Sequence, residues 1–417
     1  MLLLKVSAVS QSSKELMTYI CGDSGPLDGF NPFFVVTQKW ASEVLSLLNK
    51  NPLSLSRICS LLKLNKAQAS HLLEDLIRIQ AVKEESGVYG VTFAIFTRKD
   101  LFTLQHATLP IANKITDGIV SHTNEITSLT TNLSSAEQVG RDKLLFAAIG
   151  CFVLDWLELK ILEKEEMLIK CKPQPGNRNY VLFARERIDP KISMKLYDKM
   201  YWGSHSDTID ELVFTSFGDL GIRYAFPDII WNLEASPKIA QKFHKMPMWL
   251  IEKISTLTES LSKRFLKDIG FLLFKMKNAG SISIEDLEPE NEKRGMLDLA
   301  DLLKDMNYVT CKKGMFKLNY PVFATEDKKV IEQLGNLIFP LITEIMKRND
   351  AGLRRALRNT SPLKNKVAFE EVLNEAWHWT FAQTNRILAD RGFFYNPPRK
   401  RREEGRYIAW VSEFSFP

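Results

Sequence analysis

The sequence predicts a mainly helical α+β fold, built as a tandem duplication of one module. Each module is expected to contain three short helices and a β-hairpin, followed by a long helix, a second helix and another β-hairpin. Three observations lead to this prediction. Helix-type and strand-type periodicities follow one another in this order near the N-terminus, parts of the second half resemble the first half at a constant offset, and a long amphipathic segment follows each module start.

The bulk composition sets the broad class of protein. A length of 417 residues predicts two to four domains, because ordinary domains contain about 100–200 residues. With 45% hydrophobic and 25% charged residues, the chain has the balance of a folded protein rather than a disordered one. The formal net charge of +6 is compatible with a nucleic-acid partner but does not identify one, since binding depends on local clusters of cations.

The compartment is predicted from apolar runs and from the cysteines. The chain contains no run of 18 apolar residues that would span a membrane, and the apolar stretch at residues 1–6 is too short for a signal peptide. The five cysteines are odd in number and at least twenty residues apart, which argues against a disulfide framework and against a metal site. We therefore expect a cytoplasmic protein without membrane contact.

The first module begins with three helical segments. Apolar residues recur with helical spacing over residues 38–50, and Asn51 with Pro52 ends that segment. A second helix is predicted over residues 55–64, and Asn65 is suited to cap a third helix that runs to about residue 79. Residues 82–93 then read as a strand, a glycine-containing turn and a second strand. Three helices followed by a hairpin is the order of a winged helix.

This stretch, and most clearly its part from Asn51 to Phe93, resembles the ArsR/MarR-type winged-helix transcriptional repressors, on a pattern that is degenerate. In that family the exposed face of the third helix enters the major groove of DNA. The resemblance implies a DNA-contacting set in this chain, namely Lys66, Gln68, Ala69, Ser70 and His71, with Lys83 near the wing. The alternative is that these residues form an ordinary solvated helix face. The paired cysteines that sense metals in part of the family are absent, because only Cys59 lies in the second helix.

The duplication is predicted from aromatic anchors. Phe96 stands opposite Phe323 and Tyr180 opposite Tyr407 at one and the same separation in residue number, which we call the repeat offset, and Trp156 aligns with Trp379 after a short gap. The repeats are expected over residues 34–185 and 258–417. The predicted segments are an N-terminal segment at 1–33, a first winged helix at 34–100, a helical dimerisation segment at 101–185, an aromatic-rich connector at 186–257, a degenerate second winged helix at 258–325 and a second helical segment at 326–417.

The connector at 186–257 is expected to have no counterpart elsewhere and to contact both repeats. Its aromatic residues are interpreted as a packed connector, with the wall of a ligand pocket as the alternative. The amphipathic helix predicted over residues 101–135 is expected to pair either with its copy in the same chain or with a second chain in a homodimer.

Two charged segments distinguish the repeats. The third helix of the second winged helix is expected at 290–306, where Glu290, Glu292 and three aspartates outnumber the basic residues, so a structural role is predicted for it. Near the C-terminus a basic turn is formed by Arg399, Lys400, Arg401 and Arg402. This turn either binds phosphates or is a solvated loop.

The function predicted from these patterns is that of a DNA-binding transcriptional regulator. The first winged helix would bind double-stranded DNA, and the central or C-terminal region would respond to an unknown small-molecule effector. The alternative is a non-enzymatic interaction or scaffold protein whose winged helices are protein-docking surfaces. No phosphate-binding loop, hydrolase motif or zinc-protease motif is found, so we expect no enzyme activity, no catalytic residues, no metal and no cofactor.

Overall fold

A computed structural model of the protein describes ten stretches of the chain. They are residues 16–26, 28–188, 200–201, 203–209, 211–219, 221–228, 264–283, 285–287, 293–400 and 404–416. The fold is α+β and mainly helical, as predicted. Among the described residues, no helix combines the length and the apolar character that a membrane span requires.

The first repeat begins with a strand and a winged helix and closes with a hairpin. Its elements are β1 (Leu16–Asp23), α1 (Pro32–Val36), α2 (Ala41–Leu48), β2 (Leu53–Ser54), α3 (Leu55–Leu62), α4 (Lys66–Arg78), β3 (Val82–Glu85), β4 (Val88–Val91), β5 (Ala94–Phe96), α5 (Arg98–Ser121), α6 (Thr123–Thr130), α7 (Arg141–Leu145), a π-helix (Phe146–Leu157), α8 (Glu158–Lys164), β6 (Lys172–Gln174) and β7 (Arg178–Glu186). The helix predicted over 101–135 is present as α5 and α6, with a break at His122.

The second repeat follows a similar but not identical order of elements, with a 3-10 helix (Glu285–Leu287) in the place of α3. It contains β8 (Gly203–Ile209), β9 (Leu212–Gly218), α9 (Arg264–Ala279), β10 (Ile282–Ser283), α10 (Lys293–Asp305), β11 (Val309–Lys312), β12 (Met315–Leu318), β13 (Val322–Phe323), α11 (Asp327–Leu357), α12 (Ser361–Lys364), α13 (Phe369–Asp390) and β14 (Tyr407–Ser412).

Each repeat contains a winged helix with a three-stranded sheet. The strand order is β2–β4–β3 in the first and β10–β12–β11 in the second. The predicted cap is present, because the Asn65 side chain accepts a hydrogen bond from the Gln68 amide at 2.8 Å and so satisfies a free N–H at the start of α4. The apolar stripes of the three helices meet in one core, in which Val44, Ile58 and Leu76 are fully buried.

From the third helix onward, the two winged helices correspond at the repeat offset. Helices α4 and α10 each contain 13 residues, and their first residues, Lys66 and Lys293, are separated by this offset. The wing pair Val82↔Val91 has its counterpart in Val309↔Leu318 at the same offset. The repeat is therefore preserved in the pairing of its strands as well as in their order.

The closing sheets preserve the same offset. Strand β5 runs parallel to β7 with Ile95 opposite Ala184, and β13 runs parallel to β14 with Val322 opposite Val411. Both members of the second pair lie one repeat offset beyond those of the first. This agreement confirms the duplication at the level of individual backbone pairs.

The repeats begin earlier than predicted, because β9 of the connector is the counterpart of β1. Strand β1 places Gly22 opposite Tyr180, and β9 places Gly218 opposite Tyr407, with both pairs antiparallel. A side chain at either glycine would collide with the opposing strand, since a Cβ would lie 2.3 Å from a carbonyl oxygen. The prediction that residues 186–257 have no counterpart is wrong for β9. The correspondence of β9 with β1 lies in the strand that each one pairs with, which the apolar pattern of the sequence does not reveal.

The described aromatic residues of the connector are packed in a core. Tyr201 contacts Phe146 with ring centroids 5.0 Å apart, and Phe226 contacts Tyr308 at 5.2 Å. Phe146 belongs to the first predicted repeat and Tyr308 to the second, so the expected contact of the connector with both repeats is confirmed. The connector residues Tyr197, Trp202 and Trp231 lie outside the described residues.

The chain forms two compact units that do not coincide with the repeats. The first comprises Met1–Leu104, Ile169–Met194 and Ala356–Val372, and the second comprises Gln105–Leu168, Lys195–Arg355 and Leu373–Pro417. Each unit therefore contains segments from both repeats.

Two reciprocal hydrogen bonds link the repeats. The Ser361 amide donates to Asp100 at 3.2 Å in the first compact unit, and the Ser134 amide donates to Asp327 at 2.7 Å in the second. Asp100 and Asp327 are separated by the repeat offset, and so are Ser134 and Ser361. Such reciprocity is the pattern of a symmetric dimer interface, here formed within one chain.

The long helices α5 and α11 also contact each other within the chain. Lys114 Nζ donates to Asn349 Oδ1 at 3.0 Å, and the Leu341 side chain covers Gly118, which leaves no room for a Cβ there. The contact positions run in opposite directions along the two helices, so the pair is antiparallel. Of the two pairings left open by the sequence, the one within a single chain is present.

The tryptophan anchors do not occupy the same core position. Trp156 is partly exposed and its indole N–H donates to Ser204 Oγ at 2.8 Å. Trp379 is fully buried and donates to Glu375 Oε1 at 2.8 Å. The predicted equivalence of these residues is wrong, because the π-helix places residues of the first repeat in a helical phase that the α-helix α13 does not share.

Candidate nucleic-acid interface

The first turns of α4 form the exposed face on which the predicted DNA contacts lie. Lys66, Gln68 and His71 are exposed, and Ser70 is partly exposed. Gln68 has a side-chain amide that can pair with an adenine edge, and Lys66 is suited to a phosphate. The N-terminus of α4 also attracts anions, because its amide dipoles point toward them.

Ala69 is not part of this face. Its side chain on α4 is fully buried, so the prediction that it approaches DNA is wrong. The helical phase explains the error, because Ala69 lies one turn before Leu72 and Leu73 on the apolar stripe. Two of the other predicted residues have local partners, since Ser70 donates to Glu74 at 3.1 Å and His71 lies 3.8 Å from Asp75.

Two cations that the sequence did not single out lie on helix α3 and at its end. Arg57 and Lys63 are exposed, and Lys63 ends the helix in the left-handed conformation immediately before the loop to α4. With Lys66 they form the α3–α4 basic cluster, in which no ion pair is made with any residue that the structure describes. The available signal in the sequence was their position on the helix that precedes the turn to α4.

The wing of the first winged helix is acidic. Lys83 is exposed on β3 as predicted, but its ammonium group bonds Glu85 at 2.7 Å, and Glu84 is also exposed. The hydrogen bond from Lys83 and its charge hold the pKa of Glu85 below its usual range. Lys83 is therefore neutralised locally and is a weak partner for a phosphate.

The third helix of the second winged helix is balanced in charge rather than acidic. Helix α10 begins at Lys293, so Glu290 and Glu292 lie outside the described residues. Its sequence contains three acidic and three basic residues, and Asp301 pairs with Lys304 at 2.7 Å. The predicted acidic excess rests on Glu290 and Glu292, which lie outside the described residues.

The wing of the second winged helix is basic. Lys312, Lys313 and Lys317 are all exposed on β11, on the turn and on β12. Within the described parts of the chain, none of the three has an acidic partner. This wing therefore has a free positive charge that the first wing lacks.

The basic turn near the C-terminus is partly held by protein groups. Arg399 lies 4.0 Å from Asp219, and Lys400 donates to the side chain of Asn307. Arg401 and Arg402 lie outside the described residues. The two described cations of this turn therefore do not form a free phosphate-binding cluster by themselves.

A second polar cluster lies in the second compact unit. Asp228 accepts a hydrogen bond from Ser216 Oγ at 2.6 Å and lies 3.3 Å from His205 Nδ1. Burial would raise the pKa of Asp228, but His205, Arg223 and Ser216 together hold it below its usual range. The Ser216 hydroxyl donates to the carboxylate rather than to the histidine, so the arrangement differs from an activated serine nucleophile.

Metal ligands are not brought together in the part of the chain that is described. No group of three or more His, Cys, Asp or Glu side chains there could hold a metal ion. Cys59 is a free, partly buried cysteine on α3.

Comparison with protein-family models, with curated proteins and with solved structures found no match for this chain.

Proposed function

We propose that the protein is a DNA-binding transcriptional regulator of the winged-helix type, similar to the ArsR/MarR repressors, and that the first winged helix contacts double-stranded DNA. The observation that carries this proposal is the α3–α4 basic cluster beside Gln68. Three exposed cations without an acidic partner among the described residues lie on α3, at its end and at the start of α4, the helix whose exposed Gln68 can read a base edge.

The charges favour contact through the helices rather than through the first wing. Every phosphate that a cation neutralises releases counterions, so unpaired cations such as Lys66 strengthen binding. Lys83 contributes little, since Glu85 already neutralises it. The lysines of the second wing offer further phosphate contacts. The sequence predicted a structural role for that winged helix, and these lysines argue against a role that is structural alone.

The remaining features of the proposal follow from DNA binding. The protein acts in the cytoplasm, which the free cysteines fit. A homodimer would present two reading helices to a palindromic operator, although one chain already contains two winged helices. A small-molecule effector would regulate binding.

A salt series tests the proposal. The full chain is immobilised and incubated with fragments of random genomic duplex DNA from 50 to 300 mM potassium chloride. We expect retention at low salt that falls steeply as salt rises, because counterion release drives the binding. If no fragment is retained at the lowest salt, the regulator proposal fails.

A second function, protein docking, is favoured by exposed apolar residues on α3 and on the acidic wing. Leu61 is 43% exposed and Val88 is 39% exposed, and Val88 follows Glu84 and Glu85 closely in the sequence. Exposed apolar patches rimmed by polar residues mark protein interaction sites. Absence of any retained duplex DNA at the lowest salt would favour this second function.

A further inference from the structure

A cleft of about 600 Å3 lies in the first compact unit, beneath the wing of the first winged helix. Ile77 and Ile79 at the end of α4 and Val82 on β3 form its apolar wall on one side. Ile169 and Leu182 form the wall on the other. The volume lies within the range of small-molecule sites, which are largely apolar with a few polar groups that orient the ligand.

Three polar groups converge on this cleft. Glu371 is buried at the start of α13, where one carboxyl oxygen accepts a hydrogen bond from the Ala94 amide at 2.7 Å. Gln174 donates its amide N–H to the Tyr180 carbonyl at 3.1 Å, but its Oε1 atom is buried without a partner among the described residues. The Tyr180 hydroxyl is also buried and has no partner among these residues.

The second repeat shows that the unpartnered hydroxyl is not a general property of the fold. Tyr407 is the counterpart of Tyr180, and its hydroxyl accepts a hydrogen bond from the Tyr224 amide at 3.1 Å. In the first repeat the residue at the same position has no such protein partner among the described residues, and it lines the cleft. A buried polar group without a partner is unfavourable, so a ligand that supplies the missing hydrogen bonds would be stabilised there.

We propose that this cleft binds a small organic amine with an apolar body. The Gln174 oxygen and the Glu371 carboxylate are hydrogen-bond acceptors, and the Tyr180 hydroxyl can also accept, so the site is complementary to an ammonium group with its several N–H donors. The apolar walls bury the rest of the ligand. A carboxylate ligand would be opposed by Glu371.

The charged groups around the cleft are of both signs, and among them Glu371 is the buried one. Lys83, Glu84 and Lys172 also line it, and Lys83 is paired with Glu85. Burial raises the pKa of Glu371 to about 7, with smaller opposing effects of the Ala94 amide and Lys172. A bound ammonium group would favour the ionised carboxylate, so binding of the amine is expected to strengthen as the pH rises from 6 to 8 through this pKa.

The test uses three indole probes that differ in one group, namely tryptamine, tryptophol and indole-3-propionate. Binding to the full chain is followed by NMR of isotope-labelled isoleucine methyl groups. We expect tryptamine to bind about tenfold more tightly than either other probe, which is the scale of a charge-assisted hydrogen bond. The methyl signals of Ile77, Ile79 and Ile169 should shift, while that of Ile342 in the second compact unit should not.

Variants locate the interaction. Glu371→Gln should remove the about tenfold preference for tryptamine. Tyr180→Phe should also weaken binding and should fold normally, because it removes a hydroxyl that has no partner among the described residues. The matched control is Asp155→Asn, which removes another buried carboxyl group with a raised pKa of about 7. Equal binding of the three probes, shifts confined to other isoleucines, or unchanged tryptamine binding in both cleft variants would overturn the proposal. None of these outcomes depends on whether the protein binds DNA.

Discussion

The two winged helices share their buried positions and differ in their exposed ones. Val82 and Val309 are buried at the same point of β3 and β11, and Leu76 and Leu303 are buried at the same point of α4 and α10. Yet Glu85 of the first wing is replaced by Lys312 at the equivalent position of the second. The fold of a winged helix depends on its apolar positions and turns, so its surface charge is free to change with the partner it meets.

Because of this difference, the groups that are suited to DNA contact are divided between the two winged helices. The first offers the α3–α4 basic cluster and Gln68 but has an acidic wing, while the second offers three lysines on its wing that have no acidic partner among the described residues. Positions that fix the backbone should respond alike in both repeats, and positions that face partners should respond differently.

The largest effect is expected at the paired glycines. Gly22→Ala and Gly218→Ala should each lower the free energy of unfolding by about 2–4 kcal/mol, because the new Cβ would collide with the opposing strand. The matched control is Gly87→Ala in the first wing, which has a φ of +79° but open space around it, and should lose only about 1 kcal/mol. Urea denaturation measures all three. A loss at either strand glycine no larger than the control would contradict the proposed equivalence of β1 and β9.

The next prediction distinguishes Tyr407 from Tyr180, its counterpart in the first repeat, by the stability of their variants. Tyr407→Phe should cost about 1–3 kcal/mol, because it leaves the buried Tyr224 amide without its acceptor. Tyr180→Phe should be neutral or stabilising, because its hydroxyl has no partner among the described residues. Urea denaturation of the two variants gives the comparison. Equal losses would show that Tyr180 makes a bond in solution that the structure does not contain.

An effect of similar size is expected for contact with a DNA base, and it is measured as a change in DNA-binding free energy rather than in stability. Gln68→Ala should weaken site-specific DNA binding by about 1–3 kcal/mol if this side chain reads a base. Ser70→Ala should have little effect, because that hydroxyl is bonded to Glu74. Asp298→Asn in the second winged helix is a further control with little expected effect. Competition binding with a selected operator measures these changes, and a loss at Asp298 equal to that at Gln68 would mean that α10 also faces DNA.

The smallest effect concerns the wings. Lys312→Ala should make the slope of binding affinity against salt shallower by about 0.9, the value for one phosphate contact. Lys347→Ala should leave the slope unchanged, because this lysine is paired with Glu165. A salt titration with each variant measures the difference. If Lys312→Ala behaves like the Lys347 control, the second wing does not touch DNA.

The sequence was sufficient for features with a clear local signal. The Asn65 cap, the order of the helices and the repeat offset all follow from residue type and periodicity. The equivalence of β1 and β9 was missed, although residues 22–25 and 218–221 share a Gly-Asp-x-Gly pattern, because the separation of these two stretches is shorter than the repeat offset. In both turns the aspartate accepts a hydrogen bond from the amide of the second glycine at 2.8 Å.

Other features depend on contacts that a single sequence does not reveal. Ala69 is an exception, because its spacing of three and four residues from Leu72 and Leu73 already places it on the apolar stripe of α4. The cleft unites segments that lie far apart along the chain, from Ile77 in the first winged helix to Glu371 in the last helix. No spacing rule would have brought them together.

The most direct test of DNA recognition by the first winged helix is the salt dependence of duplex binding by a triple variant. In this variant Arg57→Ala, Lys63→Ala and Lys66→Ala remove the α3–α4 basic cluster, whose members are all exposed and tolerate replacement without loss of core packing. Each phosphate contact contributes a slope of about 0.9, so the slope should become shallower by roughly two to three. A triple variant that binds duplex DNA with the affinity and the slope of the unmodified protein would contradict the account.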